Sequence, residues 1–342
     1  MKSRLFFLLS GEHPTLPKAE FRAILESEGV KFRVLEDATQ LLRVEVDPSC
    51  VDAILRRSAL TRICCLEIFR CQADIGEILR EARNASYEGL LGEKESFSVR
   101  VSRVRGASPH INGMTLEREL GAIIPGKVVD LRNPSKEFLG ILTDDLFVFG
   151  LKLGEIKPGV FVERRPCRRP FFHPTAMPAK LARCMVNLAR PKPEMLILDP
   201  FCGTSSILIE AGLMGYRVMG MDVKRRMIRG SVKNLSRYGV NWEGLIVADA
   251  LKNPVRQADR IVTDPPYGRS ATTMGVAPNE LLRGFLSFVP ELLPRGGFVC
   301  LAAPSDVGLR DMGIEAGLRH VESHFIYIHR RLTREIAVFL VP

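Results

Sequence analysis

The sequence predicts an α/β protein: a Rossmann-like, doubly wound parallel sheet in residues 173–342, preceded by an α+β region in residues 1–152. Three observations carry that expectation. From Thr175 onward, short apolar strands alternate with amphipathic helices, the pattern of a mostly parallel sheet. Four of those strands in succession end in an acidic residue: Asp199, Asp222, Asp249 and Asp264. Before residue 152 the order reads βαββαβ, followed by a second unit with alternating strands and a hairpin turn.

Composition agrees with a folded chain of roughly two domains, at ~150 residues each. Hydrophobic residues make up 46% and charged residues 26% of the 342, which excludes a disordered protein. No run approaches the ~18 apolar residues of a membrane helix. Met1-Lys2-Ser3-Arg4 before Leu5–Leu9 has the basic flank of a secretory signal. The apolar run is short, however, and meets Gly11, Glu12 and Pro14, so it reads as a first strand. The eight cysteines contain no C-x-x-C pair. Reduced, buried thiols in a cytoplasmic protein are expected, with no metal site. The net charge of +10 is uneven: residues 1–172 carry +3 and residues 173–342 carry +7. Such an excess permits a polyanionic partner without requiring one.

In order, residues 4–10 read as a strand and 17–28 as a helix opened by Pro17. Strands at 31–36 and 40–46, a helix at 49–57 and a strand at 62–70 complete a small ferredoxin-like unit over residues 1–72. No catalytic constellation falls there. In residues 73–152, a helix at 74–90 ends in Gly89. The strand Ser96–Arg105 places Arg103 and Arg105 on one face with Val99 and Val101, and Arg100 on the other. A helix follows at 114–124, then strands at 127–132, 137–143 and 146–152, with Asp144-Asp145 as a hairpin turn. From composition alone, alternating arginines on a strand read first as a solvated face.

The strand Phe97–Arg105, the helix around Glu117-Arg118-Glu119-Leu120-Gly121 and the strand Val128–Asn133-Pro134 together resemble the THUMP domain, an RNA-binding module of tRNA-modifying enzymes. The resemblance implies docking on the acceptor end of tRNA, with Arg100, Arg103, Arg105, Arg132 and Lys136 as phosphate contacts. Residues 153–172 follow as a basic linker, Glu163-Arg164-Arg165-Pro166-Cys167-Arg168-Arg169-Pro170. Two readings stay open: a solvated connection, or a hinge whose Arg164, Arg165, Arg168 and Arg169 lie along an RNA backbone.

In the second half, a helix is expected at 176–189. Met195–Leu198 leads into Asp199-Pro200-Phe201-Cys202-Gly203-Thr204-Ser205-Ser206, and a helix runs from Ile207 to Leu213. Strands are expected at 217–221, 244–248, 260–263, 297–302, 320–329 and 335–341, with helices at 224–237, 279–292 and 305–317. Ligands of open α/β sheets bind outside the carboxyl ends of the strands, where the four aspartates gather. A dinucleotide or phosphate site would need G-x-G-x-x-G or G-x-x-x-x-G-K-[ST], and neither is present. The loop has a single glycine, Gly203, and the carboxylate of Asp199 at its entrance repels a pyrophosphate. They suit a ligand carrying an amino group and a sulfonium, which points to S-adenosylmethionine.

Asp264-Pro265-Pro266-Tyr267 adds chemistry. The prolines lack N–H groups and fix the backbone, so carbonyls project inward. An exocyclic base amine can donate one hydrogen to Asp264 and one to the Pro265 carbonyl, which turns its lone pair toward the methyl group. Tyr267 can stack on the base. Such an amine is barely basic, so positioning and electrostatics must carry the reaction, with Asp264 as proton acceptor.

Three segments are similar to archaeal tRNA guanine-N2 methyltransferases, in the THUMP-containing branch acting on guanosine 10. They are Phe171–Leu188, Asp199–Thr204 with Glu210-Ala211, and Asp264-Pro265-Pro266-Tyr267-Gly268-Arg269-Ser270. The resemblance implies S-adenosylmethionine contacts at Asp199, Pro200, Phe201, Cys202, Gly203, Asp222, Asp249 with Ala250, and Met177. His173 opens a segment that closes over the cofactor, or merely begins a helix. Relatives follow Thr204 with two glycines, whereas this chain has Ser205-Ser206. A small zinc-binding activator subunit is a further implied partner, beside Leu245-Ile246-Val247. The expected activity is methylation of guanosine N2 at position 10 of tRNA, with no distinction between one and two methyl groups. The rivals are N6-adenine methylation of nucleic acid, which the same motif serves, and a non-catalytic tRNA-binding or maturation factor.

Overall fold

The structure, a computed structural model, describes residues 2–92, 94–125, 128–267, 277–330 and 332–342. The first elements are β1 (Ser3–Leu9), α1 (Leu16–Ser27), β2 (Arg33–Ala38), β3 (Leu41–Val46), α2 (Cys50–Arg57) and β4 (Thr61–Gln72). Then come α3 (Ile75–Asn84), β5 (Ser96–Arg103), α4 (Gly113–Ile123), β6 (Val128–Val129), β7 (Lys136–Thr143) and β8 (Leu146–Glu155). The rest comprises α5 (Gly159–Val162), α6 (Ala179–Leu188), β9 (Leu196–Asp199), α7 (Ser206–Leu213), β10 (Arg217–Asp222), α8 (Arg225–Arg237), β11 (Gly244–Val247) and β12 (Arg260–Thr263). It ends with α9 (Pro278–Leu292), β13 (Phe298–Pro304), α10 (Leu309–Glu315), β14 (Arg319–His329) and β15 (Leu332–Leu340).

These elements form two compact units. One comprises Met1–Glu12, Gly29–Leu55 and Thr61–Lys157; the other comprises His13–Glu28, Arg56–Leu60 and Pro158–Pro342. Strands from residues 1–72 and 73–152 share one eight-stranded sheet, ordered β2-β3-β1-β4-β8-β7-β5-β6. The long β4 joins its halves by pairing with both β1 and β8. At Gly150 a Cβ would fall 2.1 Å from the Leu66 carbonyl oxygen, so only glycine lets these strands approach. Phe69, Phe97, Phe138, Phe147 and Phe149 fill one core face. The Asp144-Asp145 hairpin forms as expected, with Asp144 at φ +50°.

Three expected segments end early in this unit. The helix expected over 74–90 stops at Asn84, because Ala85 turns to extended backbone and the Tyr87 hydroxyl donates back to the Ala82 carbonyl. The strand expected over 127–132 is only Val128–Val129, since the Asp130 carboxylate accepts from the Arg132 and Asn133 amides and bends the chain; Lys127 lies outside the described residues. The strand β5 ends at Arg103, and Arg105 turns away at φ +48°.

The second unit holds a seven-stranded sheet ordered β11-β10-β9-β12-β13-β15-β14. Strands β9 to β13 run parallel, while β15 lies antiparallel to both β13 and β14. Strand order reverses between β9 and β12, which opens a crevice at their carboxyl ends. A core of Leu198, Ile261, Phe285, Leu286, Val299 and Phe339 packs α9 and α10 on the sheet. Among the described residues, no helix is long and apolar enough to cross a membrane.

The helix α1 belongs to this second unit although it lies in the first 30 residues. The buried Glu20 shows why: its carboxylate accepts from Ser58 Oγ (2.7 Å), the amides of Ala59 (2.9 Å) and Leu60 (2.8 Å), and Asn187 Nδ2 on α6 (2.8 Å). Four donors aimed at one buried carboxylate require its negative charge and both oxygens. Glu20→Gln turns one oxygen into a donor facing donors, and is expected to lower unfolding free energy by about 2–4 kcal/mol. Urea denaturation of the two proteins measures it.

Candidate active site

The first loop of the parallel sheet is shaped by backbone that must turn twice. Gly203 (φ +51°) and Ser205 (φ +63°) both adopt left-handed conformation between β9 and α7. The Cys202 amide donates to the Met221 carbonyl (2.8 Å), which lays the loop across β10. Gly220 makes room for it: a Cβ there would sit 2.6 Å from Leu208 Cδ1 and 3.0 Å from Cys202 Cβ. From α8, Ser231 Oγ donates to the Gly203 carbonyl (2.8 Å) and Asn234 Nδ2 to the Thr204 carbonyl (3.0 Å). Asp222 ends β10 and accepts from the amides of Gly203 (3.1 Å) and Lys224 (2.8 Å), so it fastens the loop to the next turn.

A pocket of about 430 Å³, part of it open to solvent, lies over this loop. Of the residues expected to bind cofactor or act in catalysis, it brings together Met177, Asp199, Phe201, Cys202, Gly203 and Asp264, with His173 at its wall. It adds Thr175, Ala176, Thr204, Ser206, Ile207 and Met227, to none of which the sequence reading assigns a cofactor contact. Pro200, Asp222, Asp249, Ala250, Pro265 and Tyr267 do not line it. Asp249 accepts from the Leu251 amide (3.0 Å) and caps the short turn after β11, with Ala250 buried behind it. His173 does not begin a helix: its Nδ1 pairs with Thr175 Oγ1 (2.8 Å), and α6 starts only at Ala179.

Electrostatics single out the two carboxylates at the crevice. Asp199 is buried, accepts from Thr263 Oγ1 (2.7 Å) and the Phe201 amide (3.1 Å), and is pushed up to about pH 7. Burial is the main cause, and Asp264 and Asp222 add repulsion. Burial also raises Asp264, against the opposing pull of Arg334 and the Tyr267 hydroxyl. The buried Oδ1 of Asp264 has no partner in hydrogen-bond geometry among the described residues. Carboxylates held above their ordinary range by burial and by one another fit a cationic ligand, which would relieve both. A ligand with an ammonium and a sulfonium meets that requirement, and a pyrophosphate does not.

Arg334 on β15 is the residue that sequence reasoning missed. Its Nε donates to the Tyr267 hydroxyl (2.5 Å), its guanidinium carbon lies 5.6 Å from the centre of the Tyr267 ring, and Nη2 stands 3.6 Å from Asp264 Oδ2. Thr263, Gly220 and Asn234 were missed as well. Each acts through partners distant in sequence, so no local pattern marks them. Gly268, Arg269 and Ser270, which extend the motif, lie outside the described residues.

The basic linker is corrected at two positions. Arg164 pairs with the fully buried Glu210 of α7 through Nε (2.6 Å) and Nη2 (3.1 Å), and Arg183 of α6 holds the same carboxylate (2.8 Å). Both guanidiniums lie over the Phe161 ring. Arg169 is only 5% exposed and donates to Ser206 Oγ (2.5 Å) and to the Arg164 carbonyl (3.1 Å). Phe171 is bracketed by Asn234 through its amide and carbonyl, both at 2.9 Å. These side chains strap the segment onto α7 and α8: Arg169 is buried away from any phosphate, and the half-buried Arg164 commits its guanidinium to Glu210. Arg165 and Arg168 are exposed, the latter paired with Glu163 (2.6 Å). In the first unit, Arg100 donates to the Leu131 carbonyl (2.8 Å), Arg103 to the carbonyls of Ala107 and Ser108, and Lys136 faces Glu95 (3.7 Å). Arg105 and Arg132 are exposed.

A sheet with this strand order and a buried acidic crevice at its reversal defines a Rossmann-like methyltransferase. Residues 166–334 match the RMKL-like methyltransferase domain family. Over 98% of its length and 98% of the relative's, the chain is 39% identical to the tRNA (guanine(10)-N2)-dimethyltransferase of Methanothermobacter thermautotrophicus. It is 31% identical to the enzyme of that name from Methanocaldococcus jannaschii, over 97% and 98% of the two chains. Its fold resembles the crystal structure of TrmN from Thermus thermophilus, with a TM-score of 0.57 at 21% identity over 98% and 99% of the chains. The chain belongs to the archaeal tRNA (guanine(10)-N2)-dimethyltransferase family.

Ser205 stands at a left-handed position where a side chain costs about 1 kcal/mol or more and glycine costs nothing sterically. Ser205→Gly is therefore expected to raise unfolding free energy by roughly 0.5–1 kcal/mol, net of the flexibility it adds to the unfolded chain. Thermal denaturation of the two proteins checks it.

Proposed function

We propose that the protein methylates the exocyclic N2 amine of guanosine 10 in tRNA, using S-adenosylmethionine, once and then a second time. The observation that carries this reading is the half-buried Asp264, whose buried Oδ1 has no hydrogen-bond partner among the described residues and stands near the cation-seeking Asp199. The full-length likeness to relatives named for this activity supports the base and position. Asp199, Gly203, Asp222 and Met177 would hold the cofactor. When bound, S-adenosylmethionine supplies an electrophilic methyl group on a sulfonium and leaves as the neutral thioether. Asp264 Oδ1 accepts an N–H of the amine, holds its lone pair out of ring conjugation, and takes the proton that the nitrogen sheds as its bond to the methyl carbon forms. The target amine lies within a base stack, so guanosine 10 must be flipped out to reach it.

In the same reading, residues 73–152 are a THUMP domain that grips tRNA, with its exposed Arg105 and Arg132, and Arg165 and Arg168 of the linker 153–172, as phosphate contacts. The edge strand β11, where Val247 is 47% exposed, supports a docking place for the added strand of a small zinc-binding activator subunit. The reading places the protein in the cytoplasm with its tRNA.

Incubation of unmodified tRNA with labelled cofactor, followed by nucleoside mass spectrometry, should give N2-methyl- and then N2,N2-dimethylguanosine at position 10. Asp264→Ala should cut the rate roughly 1,000-fold. N6-methyladenosine as product, or full activity of Asp264→Ala, would overturn the assignment.

A further inference from the structure

Strand β15 is inserted antiparallel beside β13, and its Arg334 pairs with Pro304 at the carboxyl end of the parallel strands. That register carries a long side chain from the far half of the sheet to the Asp264–Tyr267 loop. The side chain is 13% exposed, so its contacts are sheltered from water. One guanidinium makes two contacts there: Nε to the Tyr267 hydroxyl at 2.5 Å, and Nη2 beside Asp264 Oδ2 at 3.6 Å. A planar fork of donors addresses both groups in one fixed geometry, which an ammonium on a flexible stem does not hold.

The consequence is an asymmetric carboxylate. Oδ2 faces a cation, while Oδ1 is buried with no hydrogen-bond partner among the described residues. A substrate amine therefore meets one oriented acceptor rather than two equivalent ones. The same guanidinium stands at the Tyr267 ring, 5.6 Å from its centre, and grips its hydroxyl, so the ring is held in one orientation beside Asp264.

Resting on the amine methylation proposed above, we propose that Arg334 is a positioning residue for that reaction: it fixes the Tyr267 ring and turns Asp264 so that Oδ1 alone receives the amine. Arg334 touches neither the methyl group nor the nitrogen. Its removal leaves Asp264 and Tyr267 chemically intact but steadied only by each other, and leaves Asp264 without its neighbouring cation.

The test compares wild type with Arg334→Met and Arg334→Lys. Arg334→Met should keep cofactor affinity within about twofold and lose roughly 10–100-fold in kcat, the scale of a misplaced reacting group. Its rate should need a higher pH, because the Asp264 carboxylate loses a stabilising charge. Arg334→Lys should return the pH profile toward wild type while recovering only part of kcat. A readout without substrate accompanies the kinetics: the carbon-13 titration of the Asp264 carboxyl, assigned with Asp264→Asn, should shift upward in Arg334→Met. An unmoved titration, an unchanged kcat, or a loss of cofactor binding in parallel with kcat would each overturn the positioning role. Wild type that methylates no tRNA counts against the proposed function instead, and the carboxyl titration still judges Arg334.

Discussion

Asp199, buried at the end of β9, and Asp264, half-buried just past β12, stand where the strand order of the parallel sheet reverses. Two carboxylates largely withdrawn from water repel each other and resist ionisation, and Arg334 beside Asp264 Oδ2 offsets only part of that cost. Thr263 and the Phe201 amide bind Asp199 Oδ1, while Asp264 Oδ1 has no hydrogen-bond partner among the described residues. The crevice therefore holds a standing demand for positive charge and for a hydrogen-bond donor. A sulfonium cofactor and an exocyclic amine satisfy those two demands in one place.

Holding that arrangement takes more than the loop that carries Asp199. The segment Phe161–Phe171 lies over α7 and α8, pinned by the Arg164–Glu210–Arg183 cluster and by Arg169 on Ser206. Such a buried ionic cluster adds little net stability over apolar packing, but breaking it is costly, and it fixes the path of the chain. The positive residues that read as an RNA-facing run thus divide by function: Arg164 and Arg169 brace the cofactor loop, while Arg165 and Arg168 remain at the surface. The net charge of the chain overstates this segment's share of any RNA-binding surface.

The parallel strands and their acidic ends were legible in the sequence because each is a local event: a few apolar residues, one aspartate, a turn. The loop Asp199–Ser206 and the Asp264–Tyr267 motif were legible for the same reason. The missing parts were set by distant partners. Glu20 draws α1 to the second unit through donors at Ser58 and Asn187, so the early helix reads as part of its sequence neighbourhood while folding elsewhere. The true end of α3 depends on where Tyr87 finds a carbonyl, and the linker arginines on a glutamate in α7. Arg334 reaches Tyr267 across 67 residues, and a lone arginine on a strand gives no sign of it.

The demand for a cation at Asp199 is most directly tested by calorimetric titration of S-adenosylmethionine between pH 5.5 and 8.5, in buffers of different ionisation enthalpy. The free protein holds a proton on Asp199 below about pH 7, and a bound cation requires the carboxylate, so binding should release protons at pH 6. Affinity should rise with pH up to about 7 and then level. A flat affinity with no proton release across that range would contradict the account.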